Sequence, residues 1–296
     1  IYTGEDTLSL HDALPILKLT FLTFLALFSL SSNPVLCRMA MITNQIDAIS
    51  FTFFRILSGA IFLLLLYFYK NKSLDLNLKS NYLAPFMLFL YAITFSFSYE
   101  NMAAGIGTLI LFAVVQLTMI LMAFKHKESL TFRKIFGVFL AFFGLVYLLY
   151  PKDDFSISFF HTFLMIISGI AWAFYTLLGK KSTNAFISTK DNFFKASLMA
   201  LVFMAFYFNN IIFDSYTLFL AIVSGVVTSA LGYVIWYMVI PKIDIITAGV
   251  LQLLSPVIAI VLGIIILNEK LSIELFFSTF IILLGIFIAL FRKKSK

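Results

Sequence analysis

The chain has 296 residues, 62% of them apolar and 12% charged, with a net charge of +7 and a mean hydropathy of +1.04. A water-soluble domain is roughly half apolar and about a quarter charged, so a single water-surrounded core is excluded and an integral membrane protein is implied. Long unbroken apolar runs disfavour a β-barrel, and the lone cysteine, Cys37, excludes a disulfide framework or a multi-thiolate metal site.

Residues 1–16 differ in texture from the rest of the chain. Glu5, Asp6 and Asp12 interrupt them, and they lack the basic start and continuous apolar segment of a signal peptide. The run from Leu8 to Ile16 reads as translated adapter read-through at the end of an assembled reading frame, with a short cytoplasmic leader as the alternative, and is set aside from the fold.

From residue 17 the chain offers ten apolar stretches long enough to cross a bilayer, which takes roughly 20 residues each. They are expected near 17–37, 48–69, 82–99, 102–124, 132–150, 158–179, 192–209, 216–240, 246–267 and 272–291. This leaves no room for a soluble domain. Pro151, Lys152, Asp153 and Asp154 punctuate the chain after the fifth stretch, dividing it into 17–150 and 151–296. The expected class is an all-α membrane protein of ten transmembrane helices.

Lys and Arg in short loops stay on the cytoplasmic side. With both termini inside, 17 basic residues fall in the cytoplasm against four outside, namely Arg38, Arg55, Lys152 and Lys270. The positive charge is thus a signal of sidedness in the cytoplasmic membrane, and its dispersal between apolar spans argues against nucleic-acid binding.

Lys127-Glu128-Ser129-Leu130-Thr131 and Asn268-Glu269-Lys270-Leu271-Ser272 lie 141 residues apart, and at that offset Gly144 meets Gly285 and Gly137 meets Ser278. The chain therefore reads as a duplication of five helices. Five is odd, so the second copy enters the membrane from the opposite side. Inverted repeats of this kind underlie many secondary transporters, whose halves rock about a site near the midplane.

Ser229-Ala230-Leu231-Gly232-Tyr233-Val234-Ile235-Trp236-Tyr237, then Leu254-Ser255-Pro256-Val257 and Asn268-Glu269-Lys270-Leu271, resemble the second half of an EamA-type transporter of the drug/metabolite transporter superfamily. Ala171-Trp172-Ala173-Phe174-Tyr175, Ser31-Ser32-Asn33 and Phe54-Arg55 resemble the same family, so the likeness covers about 17–292. It implies a ten-helix exporter or facilitator of metabolites with both ends cytoplasmic. One departure is that Ser255-Pro256 of the ninth span answers to Val114-Val115 in the fourth, so the two halves should kink differently.

Polar and large aromatic residues inside spans are candidates for lining a solute cavity. Ser229, Tyr233 and Trp236 are spaced i, i+4, i+7, as are Ser168, Trp172 and Tyr175, and Tyr91, Phe95 and Ser98. Gln116, Gln252 and Ser255 add amide and hydroxyl groups, and Asn33 sits beside Pro34, which frees a backbone carbonyl. The candidate substrate site is Asn33, Tyr91, Phe95, Gln116, Trp172, Tyr175, Tyr233, Trp236, Gln252 and Ser255. Helix packing and interfacial anchoring are the competing readings for the aromatics, and interhelical hydrogen bonding for the amides. The span glycines read as close-packing points. For Arg55 and Lys195, near the starts of spans, snorkelling to the headgroups is preferred over holding a carboxylate. For Glu128 and Glu269 helix capping is preferred over proton carriage.

No carboxylate lies deep in a span, which argues against an acid relay. His126 and His161 fall at opposite faces, no phosphate-binding loop is present, and neither catalytic residues, metal nor cofactor is expected. The expected activity is alternating-access transport of a small organic metabolite, a neutral amino acid among them, with a non-transporting receptor or scaffold as the alternative. The partners are the solute and the bilayer, with the chain acting as a monomer or homodimer.

Overall fold

The computed structural model describes residues 10–76, 78–79, 81–102, 104–127, 131–149, 158–267 and 273–290. Every regular element among them is helical. In hydrocarbon each backbone N–H and C=O must find a partner within the protein, and a helix supplies them within one segment. The first five segments are α1 (Leu10–Met41), α2 (Ala48–Asn71), α3 (Leu83–Glu100), α4 (Ala104–Lys125) and α5 (Phe132–Leu149). Next come α6 (Phe159–Gly179) and α7 (Ala185–Phe206). The eighth span is composite: α8 (Ser215–Val223), a π-helical stretch Ser224–Leu231, and α9 (Gly232–Val239). α10 (Ile245–Gln252) and α11 (Leu254–Leu267) make the ninth, and α12 (Ile273–Leu290) the tenth. Seven of the ten are long and apolar enough to cross a membrane by length and composition alone.

Side-chain oxygens start several of these helices. Asp47 accepts from the Ser50 N–H at α2, Asn184 from Ile187 at α7, Asp214 from Thr217 at α8 and Asp244 from Thr247 at α10. Each satisfies one donor that the first turn leaves without an intrahelical partner.

The packing has a two-fold pattern. If spans one to five are exchanged for six to ten, each principal pairing maps onto another or onto itself. α2 packs on α7 and α5 on α12; α3 packs on α6 as α1 packs on the eighth span; α4 packs on α6 as α1 packs on α11. The fold is two inverted five-helix halves, as the odd number of helices per repeat dictates. Their tightest seam is α5 against α12. A side chain at Gly137 would strike the Gly285 carbonyl, and one at Gly285 the Gly137 carbonyl. These glycines, like Gly107, Gly144, Gly225 and Gly232, are close-packing points, as their spacing suggests.

The start of α7 departs from the sequence expectation. α7 begins at Ala185 rather than near 192, because the Asn184 cap starts a helix whose first turns carry Lys190 and Asp191 and so do not read as apolar. α1 runs without a break from Leu10 through residue 16. The halves do kink differently, as Ser255-Pro256 against Val114-Val115 implies: the ninth span breaks at Leu253, where Pro256 has no N–H to donate to the preceding turn and its ring crowds the Gln252 carbonyl, while α4 is continuous through Val114 and Val115. Glu128, Lys152, Glu269 and Lys270 lie outside the described residues.

Candidate functional site

The site begins with a charge that the sequence places at the wrong depth. Arg55 lies two turns inside α2, 1% exposed, instead of reaching for a headgroup. The physical reason is what surrounds it. Its Nε donates to Ser229 Oγ at 2.9 Å and its Nη2 to the hydroxyls of Tyr233 at 2.8 Å and Tyr91 at 3.4 Å. Its guanidinium carbon stands 5.5 Å from the centre of the Tyr91 ring and 5.4 Å from that of Phe95, within cation–π range. Protein groups thus replace part of its hydration. Lys195 is likewise 1% exposed rather than extended outward along its stem, with its ammonium 4.9 Å from the centre of the Tyr82 ring at the start of α3.

Around Arg55 the aromatic candidates form one column. Tyr99, Phe95 and Tyr91 follow one another along α3 with ring centres 4.7 and 5.3 Å apart. Tyr91 meets Trp172 of α6 at 4.9 Å, Trp172 meets Tyr175 at 5.6 Å, and Tyr175 meets Tyr237 of α9 at 4.9 Å. Tyr233 closes the side of the column, 4.9 Å from Trp172 and 5.7 Å from Phe193. All are buried. Ser168 fixes the α3–α6 pairing by donating to the Tyr91 carbonyl. The helical faces read from spacing do converge.

The polar candidates divide. Asn33 makes no use of a carbonyl freed by Pro34; its Oδ1 accepts from the hydroxyls of Ser224, Thr228 and Ser229 at 2.9, 2.5 and 3.2 Å. All three donors sit on the π-helical stretch, whose wider turn gathers them on one side; such stretches occur often at functional sites. Ser229 joins this knot to Arg55. Gln252 accepts from the Trp172 indole N–H at 2.6 Å, bridging α10 to α6. Trp236 points away from the column, its N–H 3.4 Å from Thr176 Oγ1. Gln116 and Ser255 are buried, and neither side chain has a hydrogen-bond partner. Gln116 lies against Gly249, across the α4–α10 contact.

Sequence reasoning passed over Arg55 as a site residue. The signal was present, because an ionisable residue eight positions past a helix cap lies deep enough to count as intramembrane, where a functional role is the default reading. It passed over Phe193 and Tyr237 as well, since both look like ordinary packing aromatics.

The two ends of the bundle differ. At the end carrying the α1–α2 and α7–α8 links, Asp47 and Ile212 exchange hydrogen bonds both ways, Thr217 donates to the Gln45 carbonyl, and Ser98 donates to the His161 carbonyl. At the opposite end, rich in lysine, a cavity of about 310 Å³ is lined by Asn81, Lys181, Asp191, Asn192 and Tyr237, among others. Tyr237 is both wall of the cavity and foot of the column.

A family model described as the EamA-like transporter family matches the chain twice, over residues 17–150 and 160–291. An uncharacterized protein of Pseudomonas aeruginosa is 33% identical over 273 residues, spanning 92% of this chain and 94% of its own. A probable amino-acid metabolite efflux pump of Escherichia coli is 24% identical, over 76% of this chain and 80% of its own. One solved crystal structure superposes with a TM-score of 0.75 at 14% identity, covering 92% of this chain and 97% of that one, which speaks to fold alone.

Proposed function

The chain belongs to the EamA-like transporter family, and from that premise we propose that it is a secondary carrier, moving a small organic metabolite across the cytoplasmic membrane by alternating access. One observation carries this reading. Two inverted halves meet on a buried aromatic and polar column that is hydrogen-bonded shut at one end and reaches a cavity at the other. An inverted pair can exchange those two ends by rocking, since each half holds at one face what its partner holds at the opposite face.

With the lysine-rich end and both termini in the cytoplasm, the arrangement is an inward-facing one. The solute is a neutral amino acid or a related amphipathic metabolite, because the column offers aromatic surface, amides and hydroxyls with the Arg55 guanidinium among them. Efflux is supported by the Escherichia coli relative, which is named as an efflux pump. Without a catalytic cluster or phosphate loop, the chain is read as a carrier rather than an enzyme. It works with solute and bilayer, as monomer or homodimer.

The test is flux. Purified protein in liposomes loaded with labelled amino acids is expected to release or exchange some of them faster than empty vesicles do. No flux across a broad metabolite panel defeats the carrier and leaves the receptor or scaffold. In a Cys37→Ser background, Lys79→Cys should label from the inside and Gln45→Cys from the outside; the reverse overturns the sidedness.

A further inference from the structure

The buried guanidinium of Arg55 has an account that does not close. Of its three nitrogens, Nε and Nη2 are engaged by Ser229, Tyr233 and Tyr91, while Nη1 is buried with no acceptor at all. Among the described residues no Asp or Glu lies within ion-pair distance of it. Neutral hydroxyls and ring faces offset part of the desolvation of a cation, but a full charge in such surroundings normally has a counter-ion. The described residues supply none. Resting on the carrier reading above, we infer that Arg55 is the receptor for a carboxylate on the transported solute, and that the solute is a small monocarboxylate with an apolar or aromatic body.

The chemistry around the guanidinium selects that class. A carboxylate oxygen is the acceptor that Nη1 lacks, and a charge-assisted bond there is stronger than a neutral one. The Tyr91 hydroxyl accepts in its contacts with both Arg55 and Tyr233, so its own proton is left to donate to a second oxygen. Among the described residues Arg55 is the one cation hydrogen-bonded to Ser229, Tyr91 and Tyr233; Arg38 donates to the Tyr99 carbonyl at the end of the column, and the Lys195 ammonium stands over the Tyr82 ring. One positive charge balances one negative charge, which disfavours phosphates and dicarboxylates. The rings of Tyr91, Phe95, Trp172 and Tyr233 beside the charge offer apolar surface to the rest of the molecule. From the cavity, Tyr237 and Tyr175 continue this surface to Tyr233. A neutral amino acid meets the requirement through its carboxylate.

The chain has two tryptophans, both buried, and Trp172 stands 4.9 Å from the rings of Tyr91 and Tyr233, so intrinsic fluorescence reports on the cluster. Purified protein in lipid nanodiscs is titrated with phenylacetate, L-phenylalanine and valerate, then with phenylacetamide, phenylethylamine and sodium chloride. At least one carboxylate should give a saturable change, and its uncharged amide should bind about tenfold more weakly or worse, the loss of one charge-assisted hydrogen bond. Arg55→Gln should abolish the preference for carboxylate over amide, and Arg55→Lys should retain part of it. If Arg55→Gln does not fold, the wild-type series decides alone. Equal binding of acid and amide, an equal response to chloride, or no saturable response to any carboxylate overturns the inference. Liposome flux separates the two readings. Carriage of amide and acid alike defeats the carboxylate receptor and leaves the carrier standing, whereas carboxylate-selective binding with no flux defeats the carrier and leaves the receptor.

Discussion

The end of the bundle carrying the α1–α2 and α7–α8 links and the lysine-rich end are closed by different chemistry. At the first, the halves are joined through backbone groups: Asp47 N–H to the Ile212 carbonyl, Ile212 N–H to the Asp47 carboxylate, and Thr217 to the Gln45 carbonyl. At the second, the halves meet through lysine tips, Lys190 on the Asp75 carbonyl and Lys134 on the Asp244 carboxylate. Backbone-to-cap contacts fix the spacing of helix ends, while a lysine on a four-carbon stem tolerates several ångströms of movement. The first end reads as a latch and the second as a tether. The proposed carrier, open toward the lysine-rich end, would need that difference and would have to invert it as its halves rock.

The largest effect is expected between the two ends, where α2 meets the eighth span beside Arg55. Gly225 on the π-helical stretch packs on the Arg55 carbonyl and Ser58, so a side chain there meets backbone that cannot step aside. Gly225→Leu should destabilise by about 3 kcal/mol, the upper part of the overpacking range, read as loss of monodisperse protein and an earlier thermal transition. A variant as stable as the parent would deny that α2 and the eighth span are packed backbone to backbone at Gly225.

Next comes the join between α6 and α10. Gln252→Leu leaves the Trp172 indole N–H buried without its acceptor, at a cost of about 1–3 kcal/mol. Trp172→Phe on that background removes the orphaned donor and should cost less than the two single changes added together, a coupling of about 1 kcal/mol in a double-mutant cycle of thermal stability. Additive costs would show that the bond holds nothing.

The latch is tested by Asp47→Ala. It removes the α2 cap and the bond from Ile212 N–H together, about 1–2 kcal/mol, or about a 5- to 30-fold shift in an opening equilibrium. Cys37 is the chain's one cysteine, buried toward that end of α1, and serves as the reporter. Its maleimide labelling should quicken by that factor in the variant. An unchanged rate would mean that Asp47 caps a helix and latches nothing.

How much of this could be read from sequence depends on what each feature rests on. The ten spans and their inverted halves are legible because hydrophobic length and an odd repeat count are one-dimensional properties. The aromatic column is legible because Tyr91, Phe95, Trp172, Tyr175 and Tyr233 recur at helical spacing, which fixes a shared face before any contact is known. Arg55 misleads because its worth depends on Ser229 and Tyr233, far along the chain, and one residue at a span edge reads alike whether it turns inward or outward. The π-helical stretch has no periodic signature; it is visible only as three hydroxyls gathered on Asn33. Gln116 and Ser255 stand out in the sequence by polarity, and polarity alone does not say whether a partner stands opposite.

The smallest expected effect sharpens the tether. Lys134 meets Asp244 at 3.0 Å with both side chains partly exposed, the setting in which an ion pair contributes little. Burial by itself would raise the Asp244 carboxyl, but the Thr247 backbone N–H and the Lys134 ammonium outweigh it and hold the group below the ordinary aspartate range. A carboxyl depressed in the folded state adds stability that is complete above its unfolded value and disappears as pH falls through the folded one. The tether should therefore be intact at neutral pH and weaken below about pH 4. Lys134→Ala should lower stability at pH 7 by no more than about 0.5–1 kcal/mol and should flatten the acid limb of the stability profile, because the depression of Asp244 is then smaller. High salt should erase much of the difference between parent and variant, as it does for exposed charges and would not for the backbone bonds of the latch. A loss well above 1 kcal/mol that salt leaves untouched would make the lysine-rich end a second latch, and the asymmetry between the two ends would fall with it.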